Sequence, residues 1–275
     1  MKTNHGIKSS LLWVLILGSI TLFLYQFFIA DKNPTPMNMS DNVLRVGTNV
    51  GYAPFVFTDN QGNVIGFDVD LINVLANKMG KKAVIEHMAF DALIVALKQN
   101  KVDLIIGGVA ITPSRCKEID LIPYYGEGET TLSMLFWDKV PSGVATLADL
   151  KTVYPDEKPT VCTQAGTVFE PYLQKWTHIL HPKTLDDTDD IVLDIRYSKS
   201  VAAVLETVTA KKLQQLHPSI KVVTFPVDKE DQTLGSGIGV QKENAELKAA
   251  LEKGVDEMRK SGEIKALADK WFVKE

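Results

Sequence analysis

Apolar and polar positions along this chain fall into two rounds of one alternation. In the first round VLRVGTN predicts a strand, FDVDLINVLANKMG a helix, AVIEHM a strand, FDALIVALKQN a helix and VDLIIGGV a strand. In the first helix Leu71, Ile72, Leu75, Ala76 and Met79 make an apolar face, and Gly80 is placed to end it. After the apolar run TLSMLFW the pattern restarts: PTVCTQ is a strand, GTVFEPYLQKW a helix, SVAAVLE a strand, TVTAKKLQQL a helix and IKVVTFPV a strand. The final segment reads as one long amphipathic helix, a break at Ser261-Gly262 and a shorter helix. Two α/β units are therefore expected.

The start of the chain follows different rules. Lys2 and Lys8 precede an uncharged run from Leu11 to Ala30, and a polar linker with two prolines covers 31–41. Twenty residues at about 1.5 Å each span a hydrocarbon core of roughly 30 Å, longer than most cleaved leaders carry. Residues 1–30 are thus a signal peptide or a retained membrane anchor, with Phe28 a poor residue for cleavage after Ala30. Lysines held inside place the remainder outside the cytoplasm. Cys116 and Cys162, the only cysteines, argue against a lipid anchor; an exported chain permits their pairing, but they read as two separate small buried residues in different lobes. The net charge of −4 on 275 residues argues against nucleic acid as a partner.

No nucleophile elbow, phosphate loop, zinc helix or paired cysteine motif occurs. His178 and His181 stand close but are followed by Pro182, so no metal, cofactor or catalytic group is expected. Asp68 and Asp70 read as helix N-terminal charges. What the residues do favour is a site for a zwitterion. In IIGGVAITPSR a strand ends at a glycine pair and a helix begins, with Thr112 as N-cap, Pro113 in the first position and Arg115 in the first turn. A guanidinium there can clamp a carboxylate with two hydrogen bonds; the alternative is a solvated surface arginine. A second strand turns through Gly166 into a helix near Thr167, giving a second set of backbone N–H groups. Glu206 follows SVAAVL at a strand end, as an acceptor for an ammonium or as a helix N-terminal acid. Tyr52 and Phe90 also sit at strand ends, where rings grip a side chain or simply pack.

At these residues the sequence resembles the polar-amino-acid family of periplasmic solute-binding proteins. The likeness runs from about residue 42 to 275 through LRVGTNVGYAPFVFTDNQGNVIGFDVDL, FDALIVALKQNKVDLIIGGVAITPSR, PYYGEG, QAGTVFE and SGEIKALADKWF, in that order. Within the family, IRYSKSVAAVLE is most similar to arginine binders. The resemblance implies a two-lobed α/β periplasmic-binding-protein fold, with lobe 1 at 42–135 plus 236–275 and lobe 2 at 136–235. Two crossover strands near Leu132 to Trp137 and Gly235 to Val240 would join lobes that close by hinge motion.

By resemblance, Tyr52 and Phe90 sandwich the ligand side chain, Arg115 binds the α-carboxylate, Gly108 and Ala110 make lobe-one backbone contacts, Gly166 and Thr167 those of lobe two, and Glu206 takes the α-ammonium. Three departures stand out. Ala110 replaces a hydroxyl residue, Asn49 replaces an aspartate found in several binders of cationic ligands, and no aspartate is recognisable around Ser200 to Ala202. The resemblance implies a monomer that delivers a free amino acid, arginine favoured, to the membrane permease of an ABC importer. Glu127 and Glu129 are the candidates to face a cationic side chain. A periplasmic dehydratase of the same fold is one alternative. A membrane-tethered sensor is another, against which stands the expectation that no output domain follows Glu275.

Overall fold

The computed structural model describes residues 42–126, 128 and 130–272. The leader, the linker, Glu127 and Glu129 lie outside the described residues.

The chain runs through β1 (Val43–Thr48), a small hairpin of β2 (Phe57–Thr58) and β3 (Val64–Ile65), α1 (Phe67–Lys78), β4 (Lys82–His87), α2 (Leu93–Lys98), β5 (Leu104–Ile105), α3 (Pro113–Glu118) and β6 (Asp120–Tyr125). It then builds β7 (Thr131–Trp137), α4 (Leu150–Val153), β8 (Thr160–Gln164), α5 (Phe169–Gln174), β9 (His181–Leu185), α6 (Thr188–Arg196), β10 (Ala202–Glu206), α7 (Thr207–Leu216) and β11 (Ile220–Pro226). It closes with β12 (Ser236–Val240), α8 (Ala245–Ser261) and α9 (Glu263–Trp271).

Two five-stranded sheets result, ordered β4-β1-β5-β12-β6 and β11-β7-β10-β8-β9. In the first, β1 pairs in parallel with β4 on one side and β5 on the other; in the second, β8 pairs in parallel with β9 and β10. Each of these central strands is a switch point, where the crevice beyond the C-terminal strand ends suits a ligand. Each sheet also has its own apolar core, with Leu44, Leu71, Leu104 and Leu251 around the first and Leu135, Val161, Leu173 and Val204 around the second. At about 1.5–3 kcal/mol per side chain of this size, each core stabilises its own lobe, and the fully buried residues of each cluster come from one lobe alone.

The ladder pairing shifts the expected lobe boundary. Thr131 to Trp137 pair only with β10 and β11, so residues 131–135 run with the second sheet, while β12 lies wholly in the first. The chain therefore crosses between Tyr125 and Thr131 and returns between Pro226 and Ser236. These two connections run backbone against backbone: a Cβ on Gly235 would lie 2.6 Å from the Gly126 oxygen, and Gly126 and Gly235 hold φ at +75° and +87°.

Helix α1 buries Phe67, Asp68, Leu71, Ile72, Leu75 and Ala76, and packs so closely on α8 that a Cβ on Gly254 would come within 2.7 Å of Leu75 Cδ2. Asp70 accepts from Lys270 Nζ and Trp271 Nε1, each at 2.7 Å, and so ties down α9. Gly262 breaks the last two helices at φ +82°. Several elements depart from the pattern of the sequence. FDALIVALKQN opens as a 3-10 turn at Phe90–Ala92, VDLIIGGV keeps only Leu104–Ile105 in the ladder, and β2, β3, β6, α4, β9 and α6 were not foreseen. No helix among the described residues is long and apolar enough to cross a membrane. Both cysteines are free, as expected, but only Cys162 is buried; Cys116 is exposed instead, on the short helix α3 none of whose residues is buried, and burial pushes the Cys162 thiol up to about 12.

Candidate functional site

The site begins where β1 and β5 end. Beyond β5, Gly107 and Gly108 adopt φ of +133° and +64°, and this turn carries the chain into the wall of the crevice. Ala110 then faces Ser236 in an isolated bridge made by the Ile111 N–H to the Gly235 oxygen, 2.8 Å, and the Gly237 N–H to the Val109 oxygen, 2.9 Å. That pattern leaves the Ala110 N–H outside the ladder. Thr112 caps α3 by accepting from the Arg115 N–H at 3.2 Å, with Pro113 in the first turn, so the sequence signal for this helix start corresponds to the geometry.

Arg115 does not extend into solvent. Its Nη1 donates to the Ala110 oxygen at 2.8 Å and its Nη2 to the Gly166 oxygen, in the opposite lobe, at 2.9 Å. The guanidinium carbon lies 5.4 Å from the centre of the Phe90 ring. Burial pulls its pKa below the ordinary value, against the opposing influence of Tyr52. Among the described residues no carboxylate pairs with it.

On the second lobe, β8 ends at Gln164 and the chain turns through Gly166 at φ +71°. Gly166 abuts the first lobe, since a Cβ there would fall 2.7 Å from Asp91 Cα. Its N–H is not free for a ligand, because it donates to Glu170 Oε2 at 2.9 Å, and α5 starts at Phe169 rather than near Thr167. The Thr167 hydroxyl donates to the Gln164 oxygen at 2.7 Å. Glu206 ends β10 with 5 % exposure; it makes no side-chain capping bond to α7 and accepts from the Thr209 hydroxyl at 2.8 Å.

Tyr52, Phe90, Gly108, Ala110, Arg115, Thr167 and Glu206 line one cavity between the lobes, together with Val168 and Phe169. Its free volume is about 20 Å³, room for one water. Two expected residues stand apart from it. Gly166 presents its carbonyl to Arg115 and lines the adjoining cavities instead. Asn49 is 2 % exposed, with Nδ2 donating to the Met88 oxygen at 3.2 Å and Oδ1 accepting from Gln164 Nε2 at 3.0 Å, so its amide joins the lobes rather than facing the cavity. The Thr188 hydroxyl donates to the Gly51 oxygen in a further bond across the crevice.

Asp68, expected only as a charge favouring the helix N-terminus, has a larger place in the structure. It is wholly buried and accepts from the Gly108 N–H at 3.0 Å and the Tyr124 hydroxyl at 2.8 Å. Burial pushes this carboxyl up to about 7, against the pull of Tyr124 and the Gly108 and Gly107 N–H groups. The signal was present: Asp68 stands three, four and seven residues before Leu71, Ile72 and Leu75, on the apolar face of the helix.

Residues 44–274 match the family model described as bacterial extracellular solute-binding proteins, family 3. The chain is 37 % identical over 227 residues to a probable ABC transporter arginine-binding protein of Chlamydia trachomatis, covering 82 % of this chain and 84 % of that one. It is 32 % identical over 234 residues to an arginine-binding extracellular protein of Bacillus subtilis, covering 84 % and 87 %. Among solved structures, an ancestral arginine-binding protein bound to arginine matches with a TM-score of 0.75 at 29 % identity, over 85 % of this chain and 99 % of that one. An ancestral amino-acid-binding protein, described as a precursor of cyclohexadienyl dehydratase, matches with a TM-score of 0.74 at 27 % identity, over 84 % and 96 %.

Proposed function

The chain belongs to the bacterial extracellular solute-binding proteins of family 3, and from that premise we propose that it captures a free amino acid, arginine favoured, and presents it to the membrane permease of an ABC importer. The observation that carries this reading is the meeting of a partly buried guanidinium, Arg115, and a buried carboxylate, Glu206, in one cavity between the lobes. A free amino acid bears both charges on one carbon, and burying either without a partner is costly. In this reading Arg115 clamps the α-carboxylate with two charge-assisted bonds, and Glu206, steadied by Thr209, accepts from the α-ammonium. Gly108, Ala110 and Thr167 bound the α-groups, and the Gly166 carbonyl is the acceptor from which the ligand takes Arg115. A cavity that admits one water cannot hold an amino acid, so binding requires the lobes to part and to re-close with the carboxylate in place of that carbonyl.

The preference for arginine rests on Tyr52 and Phe90, since a guanidinium stacks on ring faces with better geometry than an ammonium, and on the relatives named as arginine binders. Asn49, engaged with Met88 and Gln164, supplies no counter-charge; Glu127 and Glu129 remain the candidates for it. We place the protein as a monomer in the periplasm, with Leu11 to Ala30 as its cleaved leader or its anchor.

A competition titration tests the reading. Arginine is expected to bind more tightly than glutamine, and Arg115→Ala to lose about 2–5 kcal/mol, the usual cost of truncating one side of a buried charge pair. Glutamine displacing arginine at equal concentration overturns the choice of ligand. The match to a dehydratase precursor gives the catalytic alternative its test: turnover of a cyclic amino-acid precursor would favour it, although Glu206, the one carboxylate among the described lining residues, is already assigned to the ammonium.

A further inference from the structure

Asp68 lies behind the cavity wall and touches two of the loops that carry its lobe-one side, those of Tyr52 and Gly108. Its backbone N–H donates to the Phe55 oxygen at 3.0 Å, and the preceding Phe67 N–H donates to the Pro54 oxygen at 3.0 Å, so the first turn of α1 holds the GYAPF loop. Its carboxylate holds the other loop through the Gly108 N–H, while the Tyr124 hydroxyl from β6 binds the same oxygen, Oδ2. The two loops meet at a close contact: a Cβ on Gly108 would stand 3.0 Å from Tyr52 Cε1, and the Tyr52 ring is itself stacked on Phe55 at 5.8 Å and 19°. One residue thus ties together Gly108, Tyr52 and the support of Tyr52. A buried carboxyl is an expensive way to fill space, and an apolar side chain would pack the same position at lower cost. Its value therefore lies in the acceptor it presents.

We propose that Asp68 is a positioning residue of the ligand site, whose carboxyl oxygen, accepting from the Gly108 N–H and the Tyr124 hydroxyl, fixes the glycine turn against the Tyr52 ring in the geometry that receives the ligand. The inference rests on the amino-acid-binding reading. It differs from a purely structural role in what it moves: a brace for the fold alters the melting temperature, whereas a brace for the site alters the affinity of protein that is fully folded.

The test is calorimetric titration with arginine of the wild type, Asp68→Ala, Asp68→Asn and Tyr124→Phe, each well below its own melting temperature. Asp68→Ala is expected to weaken binding at least tenfold. Asp68→Asn keeps an acceptor oxygen and recovers part of that loss, and Tyr124→Phe, which removes one of the two donors, loses less than the alanine variant. Folded Asp68→Ala with wild-type affinity, or losses that follow melting temperature alone, would overturn the proposal. If the alanine variant does not fold, Tyr124→Phe decides, and an affinity within twofold of wild type counts against it. A wild type that binds no amino acid overturns the functional reading and this one with it; wild-type binding with unaltered variants overturns this one alone.

Discussion

Replacing Asp68 by asparagine is expected to remove a pH dependence of stability that the wild-type protein carries between pH 5 and pH 7. Burial raises this carboxyl from its ordinary 3.8 to about 7 in the folded protein. The folded state then holds a proton that the unfolded chain has already released, so stability falls as pH climbs through that window and levels off above about 7. Each pH unit inside the window is worth about 1.4 kcal/mol, so the two units from pH 5 to pH 7 amount to roughly 2–3 kcal/mol. Tyr124 is the titratable group bonded to Asp68; its own pKa is driven well above the ordinary value by burial, then by Asp68 and, more weakly, by Glu206, so it does not titrate in this range. Urea unfolding of both proteins at pH 5, 6, 7 and 8 reads the difference, because every other carboxylate and histidine cancels in the subtraction. The asparagine variant also carries an amide nitrogen where Oδ1 had no hydrogen-bond partner among the described residues, at a cost of about 1–3 kcal/mol that does not vary with pH. Two curves separated by a constant offset across the whole range would refute the reasoning: the Gly108 and Tyr124 donors would then hold the carboxylate ionised in spite of its burial.

Two further substitutions probe the opposite lobe. Glu206→Ala is expected to weaken ligand binding by at least tenfold and Glu206→Asp by less, since aspartate keeps the charge while shifting its position; equal affinities by calorimetry would remove Glu206 from the site. Gly166→Ala places a methyl 2.7 Å from Asp91 Cα at a φ of +71°, which should hold the lobes apart, raising the radius of gyration of the ligand-saturated protein in solution scattering and weakening binding; an unchanged radius and affinity would contradict that close approach.

The parts of this fold that were legible in the sequence are those whose cause is local. Thr112 and Pro113 mark the start of α3 because a hydroxyl acceptor and a missing N–H suit a helix end wherever it sits, and Gly262 marks the last break because φ +82° favours glycine. The parts that were not legible depend on partners far along the chain. Asn49 reads as a ligand group until Gln164, 115 residues away, is seen to occupy its oxygen. The helix α6 was hidden by its own composition: Asp187 caps it by accepting from the Asp190 N–H at 3.0 Å, but in a run of four acids within five residues no single aspartate stands out as the cap. β9 was obscured by Pro182, a residue that an edge strand tolerates and a central one does not. Tyr52, Phe90, Arg115, Thr167 and Glu206 stood out from their places at strand ends and helix starts, and the family resemblance supplied the role of each.

The paired connections at Gly126 and Gly235 have a mechanical meaning. Two connections whose backbones touch, with no room for a Cβ between Gly235 and the Gly126 oxygen, form a narrow joint, and at such a joint bending is easier than sliding, which would stretch one connection and compress the other. If the lobes part to admit a ligand, as proposed above, the joint predicts a jaw-like path on which a small angle at the connections becomes a wide gape at the far rim. On that path the glycines at the joint, which do not line the cavity, would govern how accurately Arg115 comes back to face the turn at Gly166.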